Sequence, residues 1–116
     1  MKITRIYTGS DGQSHFEDVD IPLKQNKRGE YRSELLPAKG IILRETSADF
    51  NRQWHNAPRR QFVITLKGEA EIEVGDGTKR RFGPGDIMLA EDLTGQGHIT
   101  RGAGKQPRIS IFVTLE

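Results

Sequence analysis

Cysteine is absent from this chain of 116 residues, which excludes disulfides, thiolate metal sites and thiol nucleophiles at once. Charge of one sign is also missing. Against 18 lysines and arginines stand 16 aspartates and glutamates, and a net charge of +2 is too small a field to attract nucleic acid or an anionic membrane. The basic clusters Lys27-Arg28, Arg59-Arg60 and Lys79-Arg80-Arg81 have acidic neighbours and no aromatic stacking platform, so they read as solvated faces. No apolar run approaches the roughly 20 residues that span a bilayer, and the opening MKITRIYTGSDGQS lacks the apolar stretch of a secretory signal. The expectation is a cytoplasmic protein that partners neither nucleic acid nor membrane.

Several catalytic signatures are missing as well. Gly95-Gln96-Gly97 lacks the strand-to-helix context and the Lys-Ser/Thr ending of a phosphate loop, and no dinucleotide fingerprint is present. No serine lies in a G-x-S-x-G elbow, so covalent nucleophilic catalysis is not expected. Helical periodicity never extends beyond a turn or two, and no internal repeat is visible.

What the chain does contain is strand. Hydrophobic residues amount to 34%, below the usual globular share, but they are bunched into short runs separated by charged turns. Glu69, Glu71 and Glu73 alternate with Ala70, Ile72 and Val74, as in a half-buried antiparallel strand. Phe62 to Leu66 is apolar and β-branched, as expected of a central strand covered on both faces. Lys67-Gly68 and Gly75-Asp76-Gly77 supply turns that would make three successive strands a meander. Gly83-Pro84-Gly85-Asp86 makes another turn before a strand from Ile87 to Ala90, and Ile109, Ile111, Val113 and Leu115 alternate in the last one. Earlier strands are expected at Lys2 to Tyr7, His15 to Val19 and Gly40 to Glu45, with Lys24 to Tyr31 as the flexible segment. Many short strands at regular spacing predict one all-β domain over residues 1–116, a sandwich or barrel.

Two histidines and a glutamine between Trp54 and His98 resemble the paired motifs of the cupin superfamily. The first cupin motif runs Gly, two closely spaced His, Glu and Gly. Here Asp49 stands at the opening Gly, His55 at the first His, Ala57 at the second, Gln61 at the Glu and Gly68 at the closing Gly. In the second motif Gly85 stands at the Gly, Glu91 replaces the Pro, the loop Asp92 to Gly97 lengthens the approach to His98, and Gly102 takes the final Asn position. The resemblance covers residues 40 to 115. It implies a cupin-type antiparallel β-barrel or jelly-roll sandwich, commonly a homodimer, with a small polar organic ligand inside. It also implies a candidate metal set of His55, Gln61 and His98 for one divalent ion, Fe, Mn, Zn or Ni. Such a set would serve an oxygenase, lyase or isomerase, although Ala57 and Gln61 replace two usual ligands and leave no protein charge to offset the ion.

The neighbours of this set have two readings each. His55 and Gln61 are six apart, so strict strand alternation would put them on one face, with His98 facing them across the barrel. Without metal, the two histidines would be hydrogen-bonding groups for a ligand. Asp92 either acts as a base, orients His98 or caps a turn. His15 is either a base or third ligand from an N-terminal strand, or an exposed residue. By the same alternation Arg59 shares a face with Gln61, either meeting a ligand carboxylate or lying at the surface. Trp54 is either a core or interface anchor or a pocket wall. The loop from Glu91 to His98, with two acids, a hydroxyl and two glycines, has the composition of a mobile lip over the barrel mouth.

Overall fold

The computed structural model describes residues 1–116 and consists of strands and loops without a helix. In chain order the strands are β1 (Lys2–Thr8), β2 (Ser14–Asp20), β3 (Lys24–Gln25), β4 (Tyr31–Arg32), β5 (Gly40–Thr46), β6 (Asn51–His55), β7 (Gln61–Lys67), β8 (Glu69–Glu73), β9 (Lys79–Phe82), β10 (Ile87–Glu91), β11 (His98–Ala103) and β12 (Arg108–Thr114). Six form a sheet in the order β2-β1-β10-β7-β12-β5, four form a second in the order β6-β11-β8-β9, and β3 pairs with β4. Every pairing is antiparallel except that of β1 with β10.

The two larger sheets face each other, and their inner rows make the core. Ile6, Val63, Met88 and Ala90 come from the six-stranded sheet, while Ile72 and Phe82 come from the other. Phe16 and Phe112 pack on this cluster from its margin. β8 behaves as its alternation predicts. Ala70 and Ile72 point inward, while Glu71 and Glu73 stay outside and both reach Arg101 of the neighbouring β11, at 3.5 and 2.8 Å. Each fully buried isoleucine or valine contributes about 1.5–3 kcal/mol, so the two inner rows supply most of what holds the sheets together.

Two expectations need correction. First, β7, β8 and β9 are not a meander: β8 and β9 form a hairpin, but β7 belongs to the opposite sheet. Lys67-Gly68 is a corner between sheets rather than a hairpin turn. Gly68 sits there at φ 73°, and a Cβ would lie 2.6 Å from the Pro107 carbonyl oxygen, so the close approach of backbone requires glycine.

Second, β7 lies centrally, between β10 and β12, but only its inner face is covered. Gln61, Val63 and Thr65 are buried, whereas Phe62, Ile64 and Leu66 look outward beside Ile111 and Val113 of β12 and Ile41 and Leu43 of β5. The segment Lys24 to Tyr31 lies in the short hairpin of β3 and β4. Asn26 accepts hydrogen bonds from the Arg28 and Glu30 amides and donates to the Glu30 carboxylate. No helix is long and apolar enough to cross a membrane.

Candidate functional site

Between the sheets lies a cavity of about 190 Å3, and its walls draw on both. From the six-stranded sheet come Arg44 of β5, Gln61 and Val63 of β7, Met88 and Ala90 of β10, and Arg108 and Phe112 of β12. Arg52 and His55 of β6, Ile72 of β8, and His98 and Thr100 of β11 face them. The site is therefore apolar in its middle and polar toward its ends, the usual make-up of a small-molecule pocket.

His98 is the most constrained polar group of this wall. Its Nδ1 lies 2.5 Å from Oδ2 of Asp92, and the Ser14 hydroxyl donates to the same oxygen at 2.7 Å. A carboxylate only accepts, so Nδ1 carries the proton and Nε2 is the ring atom left for a ligand. Asp92 is 0% exposed, and Ser14, at the start of β2 in the same sheet as β10, holds the carboxylate that holds the histidine. Of the roles open to Asp92, its geometry matches orientation of His98.

His55 pairs directly with His98 across β6 and β11, their ring centroids 4.4 Å apart. Its Nδ1 donates to the Gln53 carbonyl at 2.7 Å, so its Nε2 is also free of protein partners. Burial holds its pKa below the usual histidine value, outweighing the Gln53 hydrogen bond, and His98 and Arg52 push the same way. A neutral His55 therefore offers Nε2 as an acceptor at neutral pH. Gly97 at φ 77° permits this pairing, because a Cβ there would run into the His55 carbonyl oxygen.

Gln61 reaches the cavity by a different route from the one alternation suggested. Residues 58–60 bend, ending β6 before β7 begins, so His55 and Gln61 lie on opposite sheets and meet across the gap. Conversely, His98 is the cross-strand neighbour of His55 rather than facing it. Gln61 is 3% exposed and its Oε1 has no hydrogen-bond partner.

Three other sequence candidates lie elsewhere. His15 is outside the cavity, its Nε2 at 2.9–3.0 Å from the Asp11 carboxylate and its ring beside Tyr7. Arg59 is in the bend before β7, and Trp54 is exposed on β6; neither lines the cavity. The expected lip is tied down: Thr94 and Gly95 carbonyls accept from Asn56, Thr94 also accepts from Thr8, and the Gln96 amide donates to Gly12.

The residues that sequence reasoning missed are Arg44, Arg52 and Arg108. Arg108 opens the last strand, where the alternating isoleucines and valines face outward. Arg108, Ser110 and Phe112 occupy the inner row, so polar residues sit where an ordinary sandwich buries apolar ones. Arg108 is 5% exposed, donates from Nη2 to Thr65 at 2.8 Å, and leaves Nε unbonded. Arg44 stacks on Phe112 with 4.4 Å from guanidinium to ring centroid.

These arginines bear on the metal reading. His55, Gln61 and His98 do share the cavity, but no group of three or more His, Asp or Glu side chains is arranged to hold an ion. Three neutral donors would have to offset both the dehydration of a divalent cation and its repulsion by the buried Arg108, the half-buried Arg44 and the exposed Arg52 along the same cavity. The donor set does not fit a divalent ion.

No protein-family model matches the chain, and no curated protein matches it by sequence. Among solved structures, it is similar to a conserved protein of unknown function from Streptococcus pyogenes, at 21% identity and a TM-score of 0.49, over 66% of this chain; it spans 65% of that chain's length. It is also similar to the cupin domain of Cnp3 from Schizosaccharomyces pombe, with 12% identity, a TM-score of 0.52, and coverage of 99% of this chain and 84% of that one. With two facing sheets, a cavity between them and histidines at the two motif positions, the chain has the cupin fold.

Proposed function

We propose that this protein binds a small polar organic molecule in the cavity between its sheets, with His98 as the group that meets it. The observation that carries this reading is the Ser14-Asp92-His98 relay: a buried carboxylate spends its charge on fixing one imidazole, whose ring then lines the cavity. Such buried polar chains are costly unless satisfied, and they orient a functional ring more sharply than packing alone. His55 Nε2 on the same wall and Gln61 Oε1 on the opposite one add two acceptors to the cavity. The chemistry available to His98 at Nε2 is hydrogen bonding and proton exchange with a bound hydroxyl or carbonyl.

A thermal-shift screen of small polar metabolites tests the reading. A ligand at about 100 times its dissociation constant stabilises the fold by roughly 2.7 kcal/mol. His98→Ala should lose that stabilisation while keeping the strand signature in circular dichroism; stabilisation that survives in the variant puts the site elsewhere. The rival reading, a divalent-metal enzyme using His55, Gln61 and His98, rests on those three side chains sharing one cavity. Stoichiometric metal in protein prepared without chelator or nickel resin would reverse the preference.

We also propose a homodimer. β5 ends the six-stranded sheet, and its outward residues Ile41 and Leu43 are 65% and 73% exposed beside an apolar row from β12 and β7. An unpaired apolar edge is a template for further pairing, and a second copy of the same edge would cover it symmetrically.

A further inference from the structure

Seven of the eleven arginines in this chain pair with carboxylates. Of the four that do not, three line the cavity: Arg44, Arg52 and Arg108. No aspartate or glutamate lines it with them, and the buried carboxylate Asp92 bonds Ser14 and His98 through its Oδ2. Arg108 is buried, Arg44 half-buried and Arg52 exposed at the edge of the cavity; a buried guanidinium such as that of Arg108 without a counter-charge costs several kcal/mol, and proteins rarely leave one unpaired.

We infer that the cavity is built for a small organic oxyanion, a carboxylate or a phosphate monoester, whose charged group is taken by Arg44, Arg52 and Arg108. This rests on the reading of the cavity as a ligand site and names the class of ligand. Guanidinium forks bind planar carboxylates and phosphates through paired N–H donors, and Arg108 has an unbonded Nε beside an Nη2 already anchored on Thr65. Arg44 is steered by the Phe112 ring rather than by an acid, so its donors stay available. Burial and the charge of Arg44 together pull the Arg108 pKa down to about 10, the shift expected where positive charge lacks an anion.

The remaining lining describes the rest of the ligand. Strand register places Arg44 beside Ser110 and Thr65 on the inner face, and Val63 with Phe112 one row further on. Gln61 stands beside Thr114 at the other end. A ligand entering the arginine end would therefore pass a short apolar stretch before reaching Gln61, His55 and His98, which suit a hydroxyl or carbonyl. A volume of about 190 Å3 limits its size, since benzene fills a cavity of roughly 150 Å3.

Isothermal titration at low ionic strength tests this with lactate, malate, benzoate, inorganic phosphate and glycerol phosphate, beside the neutral lactamide, benzamide and glycerol. At least one anion should bind, with its neutral counterpart at least about tenfold weaker. Arg108→Met should weaken it by roughly ten- to a hundredfold, the value of one charge-assisted contact. The ligand-free Arg108→Met protein should melt no lower than the wild type, because an unpaired buried charge has been removed. Should that variant fail to fold, Arg44→Met carries the same test. Carboxylate and phosphate probes separate the two sources. Equal binding of the neutral compounds with dependence on His98 would overturn the anion assignment while keeping the ligand site. Binding that survives both arginine variants, or no binding by any anion, would overturn it as well.

Discussion

Replacing Asp92 by asparagine changes one oxygen to an amide nitrogen in a fully buried site, and the consequence follows from the bonds it makes. Oδ2 accepts from Ser14 at 2.7 Å and from His98 at 2.5 Å, so both donors now face a charged acceptor. Hydrogen bonds to charged groups contribute about 1.5–3 kcal/mol and neutral ones about 0.5–1.5 kcal/mol. Downgrading two of them costs roughly 2–3 kcal/mol, and relief from burying a carboxylate offsets part of this, which leaves a net loss of about 2 kcal/mol. For a chain of this length that lowers the melting temperature by roughly 6–12 °C, and the urea midpoint should fall with an unchanged slope. In proton NMR the Nδ1 proton of His98 should move upfield as its acceptor loses charge. A variant within about 0.5 kcal/mol of the wild type, with that proton unmoved, would refute the claim that Asp92 positions His98.

His55 makes stability depend on pH in a defined direction. Its folded pKa lies below the ordinary 6.5, so the unfolded chain binds the proton more readily; the stability contribution is complete above about 6.5 and is lost as pH falls through the lower folded value. The melting temperature should decline between about pH 7 and pH 5, where Glu91, held ionised by Arg5 and Arg60 against the cost of its burial, does not titrate. His55→Asn should flatten that decline, and an unchanged slope would remove His55 as its source. Light scattering should give twice the 13.1 kDa chain mass for the wild type and the single-chain mass for Leu43→Lys, with a monomeric wild type refuting the dimer.

Much of the fold was legible because alternation is a local signal. Glu69 to Val74 reads as a strand with one wet face in the sequence and is one in the structure. Which sheet a strand joins is not local, and there the reading failed. Lys67-Gly68 has the composition of a hairpin turn, but the chain turns there into the other sheet, with the carbonyl of the sequence-distant Pro107 packed against Gly68. The site divided along the same line. His55, Gln61 and His98 were found through their motif positions, and Asp92 through its nearness to His98 in the chain. Arg108, in contrast, belongs to a strand whose apolar alternation marks the outer face, and nothing in that pattern says which of two alternating rows looks into a cavity.

Sequence by itself determined that this chain makes short strands and turns, holds no thiol chemistry, and carries two histidines at cupin motif positions. The first two follow from residue type and period-two spacing, which act over a few residues, and the third from the resemblance to the cupin motifs. Only the tertiary structure decided that Gln61 faces the histidines from the opposite sheet, that Ser14 and Asp92 lock His98, and that three unpaired arginines share its cavity. Those relations depend on which distant rows are brought face to face, and on the absence of any carboxylate between them, which no local pattern encodes.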